Sequence, residues 1–223
     1  MKKIFFIIAL IFIAGCVQTK DFNYGMKQIT ALNSKYNTTM ETYPKNMKQI
    51  DAMLIDFIDL EKLQLETGQE PFKYIIDYII LNLEAEKLYI WGQKYGDAGT
   101  TKNGFGCKIK PLIIESVFFR NSSAQKGFES VVLLREFVEK YPKEANSVGF
   151  SYKNAIFLNA TFYQIYTDAN SDSHVINYFC PKNETLEIYQ RQFKKETNLS
   201  EDFINNLTYE QAVPIWKEIV GIN

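Results

Sequence analysis

One histidine, three cysteines and scattered carboxylates are the side chains in this 223-residue sequence best suited to nucleophilic, acid–base or metal chemistry. His174 would have to serve as the general base for any serine or cysteine nucleophile. It lies in a stretch that reads as a polar turn, and the sequence contains no Gly-x-Ser-x-Gly elbow. Cys107, Cys180 and His174 together fall short of a four-ligand zinc site. Asp56 and Asp59 stand about one helical turn apart, a spacing routine on solvated helices, so two-carboxylate hydrolysis has no specific support. The expectation is therefore no catalytic residue, no metal and no cofactor.

Two local patterns have the opening of a ligand loop and then depart from it. Gly99-Thr100-Thr101-Lys102-Asn103-Gly104 has the glycine spacing of a phosphate loop, but Phe105-Gly106 replace the required Lys and Ser/Thr, and no apolar strand precedes it. The stretch Gly92 to Gly106 reads instead as a surface loop, with Gly104 and Gly106 free to take positive φ before Cys107. Asp168-Ala169-Asn170-Ser171-Asp172 places oxygen ligands at alternate residues, as a calcium loop begins. Ser173 then stands where glycine should turn, and Phe179 where a glutamate should close the site. A polar turn between helices is the plainer reading.

The N-terminus carries the strongest signal. Lys2-Lys3, ten apolar residues from Ile4 to Ile13 and the small pair Ala14-Gly15 have the layout of an export signal. The apolar run is about half the length that spans a bilayer. Ile13-Ala14-Gly15-Cys16 resembles the lipobox of prokaryotic lipoproteins, bacterial or archaeal. That resemblance implies a diacylglyceryl group on Cys16, removal of residues 1–15 and a mature chain that starts at Cys16. The alternative is an ordinary secretory signal cut after Gly15. Two acyl chains would hold the protein stably on the membrane, at the outer face of the cytoplasmic membrane or in the outer envelope.

Export gives the remaining cysteines an oxidising compartment. Cys107 and Cys180 are expected to form a disulfide, with two buried thiols as the alternative. Six Asn-x-Ser/Thr sequons begin at Asn37, Asn121, Asn159, Asn183, Asn198 and Asn206, against roughly two expected by chance. They read either as glycan acceptors or, at Asn183 and at Ser200 and Thr208, as helix caps. Removing residues 1–15 takes two of 25 basic side chains and none of the 26 acidic ones, for a net charge of about −3. Without a basic block, neither nucleic acid nor anionic lipid is an electrostatic partner.

A 46% apolar chain of this length can bury a substantial core. After a tether at 16–21, residues 22–223 read as one all-α domain, an irregular bundle or short stack of helical hairpins with one disulfide. Helices are expected from Pro44 to Leu65 and from Pro71 to Trp91. On the second, Asn82 and Glu86 point away from the charged stripe of Lys73, Asp77, Glu84 and Lys87, and need partners if buried. Further helices are expected over Pro111 to Phe119, from a capping box at Ser122-Ser123-Ala124-Gln125 to Tyr141, and over Ser151 to Tyr166, where aromatic and β-branched content leaves strand as an alternative. Thr185 to Lys195 and Ser200 to Asn206 follow. Thr208-Tyr209-Glu210-Gln211 caps a last helix that Pro214 should kink or restart.

Gly127-Phe128 through Leu133, Phe137-Val138 and Tyr141-Pro142-Lys143-Glu144-Ala145 resemble the second helix of a tetratricopeptide-type hairpin in exported lipoproteins. The resemblance covers one unit of about twenty residues, within 122–145, and no 34-residue recurrence extends it. The expected function is a lipid-anchored binding or scaffold module for other envelope proteins. The alternative is a surface receptor with an aromatic-lined pocket near Asn82, Glu86, Tyr89 and Trp91; an envelope hydrolase is a more distant third.

Overall fold

The computed structural model describes residues 22–38, 46–67, 70–101, 104, 106–181, 186–219 and 221. The export signal, Cys16, the tether, Pro44 and Asn183 lie outside the described residues. The helices are α1 (Phe22–Tyr36), α2 (Met47–Thr67), α3 (Glu70–Gly99), α4 (Lys110–Lys140), α5 (Pro142–Ser147), α6 (Tyr152–Tyr178), α7 (Leu186–Glu196), α8 (Glu201–Asn205) and α9 (Tyr209–Ile219). Among the described residues the only β pairing is an isolated bridge between Thr100 and Cys107. The protein is all-α, and Cys107 and Cys180 form a disulfide with their Cα atoms 5.0 Å apart.

Local sequence explains several helix ends. Asn37 ends α1 with φ of +53°, and Thr38 N–H donates to Asn33 O at 2.8 Å while Asn37 N–H donates to Ser34 O. This is a Schellman closure, in which asparagine tolerates the left-handed conformation. Ser200 Oγ accepts from Phe203 N–H at the start of α8. The capping box at α9 is complete: Thr208 Oγ1 accepts from Gln211 N–H, and Gln211 Oε1 accepts from Thr208 N–H. The helix then runs through Pro214 without stopping, held by the buried Ala212 and Trp216 on either side.

Three expectations need correction, each for a tertiary reason. Gly92 to Gly99 is the last part of α3 and not a loop. Gly92, Gly96 and Gly99 form a seam against α4: a Cβ at Gly96 would lie 2.9 Å from Ser116 Oγ, and one at Gly99 would lie 2.7 Å from Ile113 Cγ1. Close helix approach compensates the roughly 1 kcal/mol of helix propensity that each glycine costs. Gly104 has the expected positive φ, but Gly106 does not; its bare Cα sits against Thr101.

The two helices expected over 111–119 and 122–141 are one continuous α4 that ends at Lys140. Ser123 is therefore not in a capping box but inside the helix, where its buried hydroxyl donates to Ala85 O at 2.7 Å. Likewise, α6 continues from Tyr152 to Tyr178, so Asp168–Asp172 is neither a calcium loop nor a turn. Burial of Ala169, Asp172 and Val175 against α4 carries the helix through this polar sequence.

Two apolar clusters organise these elements. The larger joins α1 to α6 around Phe57, Ile75, Ile76, Leu83, Leu134 and Phe137. The other gathers α7, α8 and α9 around Trp216, Tyr189 and Phe193, and against Tyr95 and Leu112 of α3 and α4. The charged stripe of α3 ties it to its neighbours: Lys87 pairs with Asp51 of α2 at 2.6 Å and Glu84 with Lys126 of α4 at 2.9 Å, while Lys73 pairs along the helix with Asp77.

Candidate functional site

α4 and α6 run antiparallel, joined by the short α5 and by a turn at Gly149, whose φ is +78°. At one end, Tyr152 Oη donates to Glu139 at 3.0 Å; towards the other, Ser116 Oγ donates to Asp172 Oδ2 at 2.5 Å. Ser116 also lies 2.8 Å from Gly92 O, which brings α3 into the same junction. Arg120 Nη1 stands 3.5 Å from Asp172 Oδ2, and the buried Arg120 Nε has no partner. Burial raises the Asp172 pKa above its ordinary value, against the opposing effects of the Ser116 hydrogen bond and the Arg120 charge. Ser116 is fully buried, so this junction fixes helix register and offers no reacting atom to a substrate.

A groove lies on the flank of the α4–α6 pair. A cleft of about 600 Å³ is lined by Asn121, Ala124, Gln125, Phe128, Glu129 and Val132 of α4 and by Tyr166 and Asn170 of α6. Its α4 wall continues as an exposed ridge through Phe118 and Ile114. Gln125 Nε2 donates to Glu129 Oε1 at 3.2 Å, so the polar part of the wall is partly tied along its own helix. Apolar side chains with a few orienting polar groups in a cleft of this size are the usual make-up of a binding groove. Such a groove can receive side chains from another chain; it presents no paired nucleophile and base.

The pocket residues expected from sequence are not part of that groove. Asn82 is buried, and its Nδ2 donates to Tyr78 O of its own helix at 2.7 Å. Glu86 is half-buried on the next turn. Tyr89 Oη accepts from Gln93 Nε2 at 2.7 Å, and burial raises its pKa. Trp91 packs beside Phe119 and Tyr95 in the second cluster, with Lys94 Nζ 5.2 Å from its ring. The four therefore spread from one core cluster to the other along α3. His174 lies on α6 and packs against Tyr178, ring centroids 4.3 Å apart. Among the described residues, no group of three or more His, Cys, Asp or Glu could hold a metal ion.

The described sequons fall in different settings. Asn121 and Asn159 are exposed in the interiors of α4 and α6, and the Ser123 hydroxyl of the first is buried. Asn206 ends α8 and donates from Nδ2 to Asp202 O at 2.7 Å. Asn37 holds the αL position after α1. Asn198 is exposed in the non-helical stretch 197–200 between α7 and α8, and Asn206 opens the shorter non-helical stretch 206–208 between α8 and α9.

The groove was not identified from sequence, although a signal for it exists. Ile113-Ile114, Phe118-Phe119 and Val131-Val132 are adjacent apolar pairs on one helix. Neighbours 100° apart cannot all face one core. In the structure Ile113 and Val131 are buried, while Ile114, Phe118 and Val132 are exposed. No protein-family model matches the chain, and neither a curated protein nor a solved structure matches it significantly.

Proposed function

We propose that this protein is a lipid-anchored envelope module that binds an amphipathic helix of another envelope protein in the groove between α4 and α6. The observation that carries this reading is the run of exposed Ile114, Phe118 and Val132, with half-buried Phe128, beside Tyr166, an apolar wall left largely open to solvent. Helix-in-groove recognition uses apolar anchors one turn apart against such a wall. The lipobox resemblance at Cys16 and the Cys107–Cys180 disulfide both suit an exported protein.

A photoreactive residue at Val132, introduced in the cells that make the protein, tests this. It should crosslink one membrane-fraction protein, whose crosslinked peptide should be an amphipathic helix. Tyr166→Asp should reduce the yield about tenfold or more, as expected when an interface anchor worth 1.4 kcal/mol or more is lost. The Cys16→Ser variant should release the protein from membranes and reduce the yield with it. Absence of any crosslinked partner at Val132 would refute the groove reading.

A further inference from the structure

Among the described residues, the outward face of the first half of α6 is largely exposed. α6 packs against α4, burying Ala155, Phe162 and Ile165. At 100° per residue, Ile156, Phe157, Ala160 and Tyr163 fall on the opposite side. Ile156 is 65% exposed, Phe157 72% and Tyr163 60%. From Tyr152 to Tyr166 the helix contains one lysine, Lys153, and no acidic residue. A solvated face would carry mixed charges; this one carries Ile156, Phe157, Ala160 and Tyr163 with the single cation Lys153 and the neutral Gln164.

The first described residues lie at the same end of the helix pair. Gly25, early in α1, lies directly against the Phe72 ring near the start of α3. Two residues further along α3, Tyr74 packs on Tyr141 and Phe137, and Phe137 packs on Phe150, just before α6 begins. Phe22 also shares a cleft with Ser147 and Val148, in the turn leading into α6. Five residues separate Cys16 from Phe22, so the six steps between them span at most about 22 Å of chain.

We propose that this face of α6, centred on Ile156, Phe157 and Tyr163, rests in the interface of the bilayer that holds the lipid on Cys16. The inference builds on the anchor in the proposed function. Amphipathic helices bury apolar side chains about 5–10 Å into the headgroup boundary, where tyrosine hydroxyls stay wet and a lysine extends to the headgroups. A short tether beside the patch would raise its effective concentration at the membrane, so a face too weak to bind alone can dock once anchored. The groove, on the neighbouring flank of α6, would then open along the membrane surface.

The test uses the mature lipidated chain reconstituted into phosphatidylethanolamine–phosphatidylglycerol vesicles with brominated acyl chains. Phe157→Trp should shift to shorter wavelength and be quenched by the bromines, whereas Val132→Trp in the groove should not. Ile156→Asp in the Phe157→Trp background should remove the quenching while leaving the helical circular dichroism unchanged. A chain that co-sediments with vesicles but shows no difference between the two tryptophan positions would overturn the proposal and leave the anchor standing. A chain isolated from its cells without lipid and free of membranes would overturn both. A dimer that buries Phe157 would assign the face to a second copy and overturn the bilayer as its occupant.

Discussion

Asp172 is a carboxylate on a helix interior position, buried where three helices meet. Its pKa is raised by burial, against the Ser116 hydrogen bond and the Arg120 charge, so the folded protein keeps this proton to higher pH than the unfolded chain does. The folded state then binds more protons than the unfolded state between the ordinary carboxylate pKa of 3.8 and the raised value. Stability should fall as pH rises through that window, and the penalty should persist above it. Asp172→Asn keeps an acceptor for Ser116 and cannot ionise. The difference in melting temperature between Asp172→Asn and the parent should therefore change between pH 7 and the ordinary carboxylate range, moving in the parent's favour on acidification, while control carboxylate variants on the surface show no such trend. At the same scale, a glycan is expected at Asn198 and not at Asn121, because Asn198 is exposed outside the helices whereas Asn121 lies inside α4 with its +2 hydroxyl, that of Ser123, buried against Ala85 O. Glycopeptide mass spectrometry of protein from its own cells measures both sites.

Among the elements, the α3–α4 seam has the sharpest steric requirement. At Gly99, a Cβ would lie 2.9 Å from the Ile113 backbone nitrogen, which cannot swing aside as a side-chain tip can. Gly99→Val should destabilise the protein by about 1–3 kcal/mol through overpacking, despite valine's better helix propensity than glycine. Chemical denaturation with circular dichroism reads this directly. Gly104, with nothing within 4 Å of its added Cβ, provides a contrast: Gly104→Ala should cost only the strain of its positive φ of 71°, about 1 kcal/mol.

For the whole molecule, the disulfide joins the loop after α3 to the end of α6 across 73 residues. On the chain-entropy relation, reduction should cost about 4 kcal/mol, with native-state effects able to lower the measured figure. The denaturation midpoint of Cys107→Ala with Cys180→Ala, compared with the oxidised parent, gives the value. The two apolar clusters predict where loosening would be felt first, since Cys107 directly precedes the Ile109 and Leu112 edge of the cluster that holds α7 to α9. Hydrogen exchange in those three helices should rise more on reduction than exchange in α2.

Helix was legible wherever the apolar period was regular, as from Met47 onward and in Pro71 to Trp91, because burial of one face repeats every 3.6 residues. The caps at Ser200 and Thr208 were equally legible, since they depend on neighbours within three residues. Sequence misread Gly92 to Gly99, Ser122 to Gln125 and Asp168 to Asp172 for one shared reason. Each looks like punctuation locally, yet each is held in helix by a contact far along the chain: Gly99 on Ile113, Ser123 on Ala85 and Asp172 on Ser116. The pairing of Cys107 with Cys180 was foreseeable because only two cysteines followed Cys16. The groove was not, because apolar residues on both flanks of α4 leave undecided which flank will be covered. Sequence by itself determined the helical class and the cysteine pairing, properties of period and count; only the tertiary structure decided which apolar face α6 would cover and which would stay open, since that depends on where a distant helix packs.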